Sequence, residues 1–250
     1  MKTKVELKEI ENSIKNILEY MPKESIVSLE YVEKIHFLGD KGWAWPVIKD
    51  HLTESSICYC VGAGGNVSFD IALYNEYKSN IFIIDPTKYA VNIAKKAMER
   101  AENPDKIKLI EVALSDEEGG FKMKQNPQGQ SHSIIKNSKL HDLDIKTHTV
   151  PCKTLSTLMK EYNHTKIHML KIDIEGSEYK VIEDILSKKI DIDIINVEFH
   201  GEWLSDKWSK CASYKDLNEI IEKLIKKGYI LTYQNGYREY MFVKEYILVK

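Results

Sequence analysis

Two apolar runs joined through a glycine-rich turn constrain this chain more than any other feature. Ile57-Cys-Tyr-Cys-Val61 leads into Gly62-Ala-Gly-Gly-Asn66, and Ile81-Phe-Ile-Ile84 ends in Asp85, 85 − 62 = 23 residues after the first glycine. A buried strand, a turn that lets backbone approach a ligand, and a carboxylate closing the next strand are how a doubly wound α/β domain holds an adenosine-containing cofactor. The glycines admit the ligand. The carboxylate accepts hydrogen bonds from ribose hydroxyls.

The rest of the chain keeps that rhythm. Apolar runs predict strands at 57–61, 81–85, 107–113, 167–172 and 192–199, with helices predicted at 67–77, 87–100, 153–162 and 177–187. The strands are rich in Ile and Val and lack polar alternation, as in a parallel sheet buried on both faces. The end differs. A predicted amphipathic helix at 215–227 precedes strand-like runs at 229–234 and 240–249, with Asn235-Gly236 between them as a hairpin signal. The expected architecture is α/β, Rossmann-like, with a mostly parallel sheet closed by a C-terminal antiparallel hairpin. Before it, apolar residues at 7, 10, 14, 17 and 18 keep helical spacing, and residues 30–37 suggest a second short helix. We read residues 1–50 as a helical N-terminal cap and 51–250 as the cofactor-binding domain. Between the third and fourth strands, residues 115–166 read as an insertion with a polar loop around 125–133.

Composition excludes some roles. The 36 basic and 38 acidic residues leave a net charge of −2, without the basic surplus of a general nucleic-acid binder. The leading residues Met-Lys-Thr-Lys-Val-Glu-Leu-Lys hold no apolar core for a signal peptide, and no run is long enough to span a bilayer, so the expected compartment is the cytoplasm. The four cysteines, Cys58, Cys60, Cys152 and Cys211, lack the spacing of a zinc site and read as reduced thiols.

The glycine turn discriminates between cofactors. Gly62 and Gly64 fit the first two positions of a dinucleotide fingerprint, but Val67 holds the third, which weakens the close helix approach that supports a pyrophosphate. S-adenosylmethionine has no phosphate and asks less of the turn. An antiparallel terminal hairpin is also the usual ending of a class I methyltransferase sheet. Asn66 doubles as a candidate cap for the following helix. Pro86 stops the strand that ends in Asp85.

A third signal lies in Lys171-Ile-Asp-Ile-Glu-Gly-Ser-Glu178, where a strand delivers Lys171 and Asp173 to the carboxyl edge of the sheet. The run Ile194-Ile-Asn-Val-Glu-Phe-His200 ends its neighbour with Glu198 and His200, two apart and so on one face. Together these bring Asp173, Glu175, Glu198 and His200 to the edge where such folds bind ligands. The block 171–178 resembles the signature of the FkbM family of S-adenosylmethionine-dependent methyltransferases. Val61-Gly-Ala-Gly-Gly-Asn66, Ile84-Asp-Pro86, Val112-Ala-Leu-Ser-Asp-Glu-Glu-Gly119 and Val197-Glu-Phe-His200 are similar to its other blocks, over roughly residues 55 to 240. The chain departs from the family at Cys60, where an acidic residue is usual, and at Ser156, where Asp is usual. The resemblance implies a class I fold and O-methylation of sugars or natural-product hydroxyls. It gives a candidate cofactor set of Cys60, Gly62, Ala63, Gly64, Asn66, Asp85, Pro86, Ala113, Leu114 and Asp173.

A hydroxyl acceptor needs a general base or a metal to become nucleophilic. His200 is the first candidate base and Asp173 the second, with Glu198 beside them. Asp173, Glu198 and His200 also form a conceivable Mg²⁺ or Mn²⁺ site. Glu178 reads as a carboxylate favoured at a helix N-terminus. Trp203 and Trp208 follow His200 and suggest a wall against which a sugar face stacks, with Glu175, Ser131 and His132 as further acceptor contacts. The expected function is O-methylation of a saccharide or sugar-nucleotide hydroxyl, without nucleic-acid partners. An RNA or protein methyltransferase, a nicotinamide-dependent oxidoreductase and a noncatalytic nucleotide-binding module are the rival readings.

Overall fold

The computed structural model describes residues 31, 34–125, 132–133, 147–204 and 211–249. In chain order they hold β1 (Ile35–Leu38), β2 (Trp45–Ile48), β3 (Ile57–Val61), α1 (Ser68–Tyr77), β4 (Asn80–Ile84), α2 (Lys88–Met98), β5 (Ile107–Ile110), β6 (Ala113–Leu114) and β7 (Gly119–Gln125). There follow β8 (His132–Ser133), β9 (Thr147–Lys153), α3 (Leu155–Glu161), β10 (Ile167–Ile172), α4 (Glu178–Ser187), β11 (Ile192–Glu198), α5 (Tyr214–Lys226), β12 (Tyr229–Asn235), β13 (Glu239–Lys244) and α6 (Glu245–Leu248).

Seven strands form the central sheet in the order β12-β13-β11-β10-β3-β4-β5. The five strands from β11 to β5 run parallel, and β13 returns antiparallel to β11 and β12. The chain winds outward from β3 through β4 to β5, then crosses back to lay β10 on the other side of β3. The order therefore reverses between β3 and β10, and the carboxyl ends of these two strands flank the crevice where such sheets bind ligands.

Alternation along each strand sorts the core into two layers. On one face Tyr59, Val61, Phe82 and Ile84 pack with Leu155 and Leu158 of α3, Ile182 and Ile185 of α4, and Leu217 and Leu224 of α5. On the other, Cys58, Cys60, Ile81 and Ile83 pack with Leu73 and Tyr74 of α1, Ala90 and Ala94 of α2, and Trp45 and Val47 of β2. Burying each large aliphatic side chain contributes about 1.5–3 kcal/mol. Among the described residues no helix is long and apolar enough to cross a membrane. Cys58, Cys60, Cys152 and Cys211 are joined by no disulfide.

Three expectations change. Residues 35–38, read as part of a short helix, pair antiparallel with β2. The positive-φ glycines Gly39 and Gly42 make the reversal that lets Ile35 and Phe37 extend. The helix expected over residues 5–20 lies outside the described residues. The run 107–113 is a strand only to Ile110, and Ala113–Leu114 joins a second sheet, ordered β6-β9-β7-β8. Among the described residues of the insertion, β7 and β9 pair antiparallel. The terminal run 240–249 leaves the sheet at Lys244 and coils into α6.

Candidate active site

The glycine turn is shaped by what stands behind it. Gly62 has φ +82°, and a Cβ there would lie 1.7 Å from the carbonyl oxygen of Asp173. Only glycine satisfies both constraints. Gly64 also sits in the left-handed region, at φ +54°, but faces open space.

Asp85 knits the turn to the next helix. Its Oδ2 accepts from the backbone N–H of Ala63 (3.0 Å) and Gly64 (3.2 Å), and its Oδ1 accepts from the N–H (2.8 Å) and hydroxyl (2.7 Å) of Thr87. Thr87 is the N-cap of α2 and accepts from the N–H of Ala90. Asp85 thus holds the cap of α2 in place. Asn66 acts similarly at α1: its Oδ1 accepts from the N–H of Ser68 at 2.7 Å, while Val67 is the N-cap.

Beyond this turn opens a cleft at the carboxyl ends of β3, β4 and β10. Of the residues singled out in the sequence, Gly62, Gly64, Asp85, Pro86, Ala113, Leu114, Asp173 and Glu175 line it. Ile84, Thr87, Met123 and Ile174 line it too and carried no sequence signal as ligand contacts. Met123 comes from β7, so the small sheet supplies one wall. Cys60 is not on this surface. It points into the opposite layer, and burial followed by the nearby Asp70 carboxyl pushes its thiol pKa well up. Ala63 and Asn66 also lie off the lining, and serve the turn through the hydrogen bonds just given.

The acidic centre forms where β10 and β11 end side by side, with Ile172 opposite Val197. His200 is 4% exposed and lies among carboxylates. Its Nδ1 is 2.8 Å from Oε1 of Glu178, and its Nε2 is 3.3 Å from Oε2 of Glu175 and 3.9 Å from Oε1 of Glu198. Glu178 is fully buried at the start of α4 and also accepts from the N–H groups of Ile174 (3.1 Å) and Gly176 (2.9 Å). The reading of Glu178 as a helix-start carboxylate thus describes half of what it does.

Electrostatics divides the roles. Burial alone would lower the His200 pKa, but Glu178, Asp173 and Glu175 outweigh it and push it up to about 10, so the ring is an imidazolium at neutral pH. Burial raises the Asp173 pKa, opposed by the cations Lys171 and His200 and assisted by Glu175. Burial also raises that of Glu198, which is held by Arg238, whose Nε donates to Oε1 at 2.9 Å. Among the described residues, the groups placed to share one cation are Asp173, Glu175 and His200, with ligand atoms within 4.8 Å of one another. Glu175 therefore takes the place that the sequence reading gave to Glu198, because Arg238 draws Glu198 aside.

Trp203 stacks over Gly201, where a Cβ would meet its ring at 2.3 Å, and its Nε1 donates to the carbonyl of Phe199. It joins Tyr214 at 5.4 Å and Tyr237 at 6.5 Å in an aromatic group packed on the core, and it does not line the cleft. Ser131 and Trp208 lie outside the described residues, as does the side chain of His132.

The Methyltransferase FkbM domain matches residues 60–231 of this chain. No curated protein matches it. Similar solved structures include a methyltransferase FkbM from Methylobacillus flagellatus KT, at 12% identity and TM-score 0.46, aligned over 77% of this chain and 44% of that one. The METTL16 MTase domain aligns over 77% of this chain and 61% of its own, at 14% identity and TM-score 0.42. M. capricolum TrmK in complex with S-adenosyl-homocysteine aligns over 78% and 64%, at 14% identity and TM-score 0.40. The chain spans less than two thirds of each of these three, and with TM-scores below 0.5 they add nothing to the domain match.

Proposed function

The chain belongs to the FkbM family of S-adenosylmethionine-dependent methyltransferases, and from that premise we propose that it methylates a hydroxyl of a neutral saccharide acceptor. The observation that carries this reading is the meeting, across one cleft, of the Gly62 turn and Asp85 with Asp173.

The residues fit the cofactor. The open backbone at Gly62 and Gly64 suits the methionine portion, Ile84, Leu114 and Met123 suit an adenine face, and Asp85 suits ribose hydroxyls in exchange for its present donors. Once bound, S-adenosylmethionine supplies an electrophilic methyl group on sulfonium. The protein's task is then to position the acceptor and take its proton.

We assign the base to Asp173 and not to His200. A ring already protonated on both nitrogens accepts no proton. Asp173 stands at the cleft, and its raised pKa makes it a stronger base than an ordinary carboxylate. Asp173 would take the proton of the acceptor hydroxyl as that oxygen receives the methyl group. His200 orients Glu175 and balances the carboxylates. Mg²⁺ or Mn²⁺ would fit Asp173, Glu175 and His200 Nε2 if it displaced the ring proton, with Glu178 then supporting the ligand from Nδ1. Loss of transfer in EDTA, restored by Mn²⁺, would mark that variant.

The acceptor side favours a neutral polyhydroxyl ligand. Asp173, Glu175 and Glu198 would repel a polyphosphate, and the chain's net charge of −2 offers no compensation. Cysteines without disulfides suit a reducing compartment such as the cytoplasm. Incubation with radiolabelled S-adenosylmethionine, neutral oligosaccharides and RNA tests the reading. Label in saccharide is expected, and label in RNA alone would overturn it.

A further inference from the structure

The hairpin β1–β2 lies outside the 60–231 family match, yet it is fastened to the candidate active site at several points. In the loop between its strands, the N–H of Asp40 donates to Ser68 Oγ at 2.9 Å, and Asn66 Nδ2 donates to Asp40 Oδ2 at 3.4 Å. The carbonyl of Pro46 accepts from Asn196 Nδ2 at 2.7 Å, beneath β11. Trp45, 7% exposed, lays its ring 5.2 Å from Nζ of Lys171.

Lys171 is itself a junction. It is 7% exposed, an expensive place for an ammonium group unless it is fully engaged. Its Nζ donates to the carbonyl of Gly62 at 2.6 Å, approaches that of Val61 at 3.4 Å, and lies 3.8 Å from Oδ2 of Asp173. The carbonyl of Val61 also accepts from the N–H of Asp173 at 3.1 Å. One cation thus touches both the turn that would hold the cofactor and the carboxylate that would take the acceptor's proton, with the Trp45 ring beside it and the buried Asp70 carboxyl also nearby.

We infer that Lys171, capped by Trp45 of the hairpin, is a positioning residue that locks the Gly62 turn and Asp173 into one geometry, so that residues 35–48 help build the methyl-transfer site. This rests on the cofactor reading above. The ammonium fixes the Gly62 carbonyl, which holds the turn open, and the Trp45 face excludes water from the pair.

Calorimetric titration of the full chain with S-adenosylhomocysteine tests it, using Lys171→Met, Lys171→Arg, Trp45→Leu, Trp45→Phe and Lys171→Met/Trp45→Leu. Lys171→Met should weaken binding at least tenfold, and Lys171→Arg, which keeps donors for the carbonyl, should recover most of the loss. Trp45→Leu should cost roughly threefold to tenfold and Trp45→Phe less, since phenylalanine keeps a ring over the cation. In the Lys171→Met background Trp45→Leu should cost nothing further, because the contact is already gone. Thermal unfolding of each variant separates this from loss of fold. Unchanged affinity in folded Lys171→Met, or additive losses in the double variant, would overturn the inference while leaving the cofactor reading intact. Failure of the wild type to bind would remove the cofactor reading and this inference with it.

Discussion

Nδ1 of His200 lies 2.8 Å from Oε1 of Glu178, a carboxylate with none of its surface exposed. That contact helps keep the imidazole charged inside the protein. Glu178→Gln retains a carbonyl for the Ile174 and Gly176 amides but removes the charge opposite His200. Breaking one side of a buried pair costs about 3–5 kcal/mol. We expect a loss of that order in urea unfolding, and an NMR titration in which the His200 pKa falls well below its present value of about 10. An unchanged pKa would mean that Glu175 and Asp173 hold the proton without Glu178.

The same group sets a pH dependence of stability. The folded pKa of His200, about 10, exceeds the ordinary 6.5. Its contribution is therefore complete below pH 6.5 and is lost as the pH rises through about 10. The stability gap between wild type and His200→Gln should shrink across that window. A gap that widens toward alkaline pH would contradict the charged state.

Gly62 and Gly64 should respond differently to alanine. At Gly62 the new Cβ would lie 1.7 Å from backbone of Asp173, and at Gly64 it meets nothing within 4 Å. Gly64→Ala should cost about 1–2 kcal/mol, the price of a left-handed residue. Gly62→Ala should cost more, because two strand ends must separate, and should abolish binding of S-adenosylhomocysteine. Equal effects at the two positions would show that the turn relaxes freely.

Asp173→Asn keeps the shape of the side chain and removes the base. Turnover should fall by about 10²–10⁴-fold, with affinity for S-adenosylhomocysteine changed only a few-fold. In the wild type the acidic limb of the rate profile should lie above pH 3.8, the ordinary value for this carboxyl. Retained turnover in Asp173→Asn would return the base role to another group.

Much of the fold was legible because buried parallel strands announce themselves. Ile57–Val61 and Ile167–Ile172 are apolar runs that end at residues needed for turns, and their observed bounds equal the expected ones. The hairpin was not legible, since four-residue strands with a tryptophan and a proline carry too little periodicity to outweigh a helical reading of residues 30–37. The second sheet was hidden for a related reason: Thr147–Lys153 alternates only weakly and its partners in β7 lie 23 to 33 residues away. At the site, motif spacing located Asp173, Glu175, Glu198 and His200 together. It did not reveal that Arg238 claims Glu198, nor that Glu178 turns under the helix to reach His200. Those partnerships depend on side chains from elements 22 and 40 residues apart, which spacing along one strand does not encode.

The central claim is that the cleft between the Gly62 turn and Asp173 holds S-adenosylmethionine. Its most direct test is calorimetry of the purified chain with S-adenosylhomocysteine, with NADH as the control, for wild type, Asp85→Asn and Asp85→Ala. Dissociation constants on the order of micromolar are expected for the homocysteine product in the wild type, weakened at Asp85→Asn, lost at Asp85→Ala, and absent for NADH throughout. No binding by the wild type, or a preference for NADH, would contradict the account.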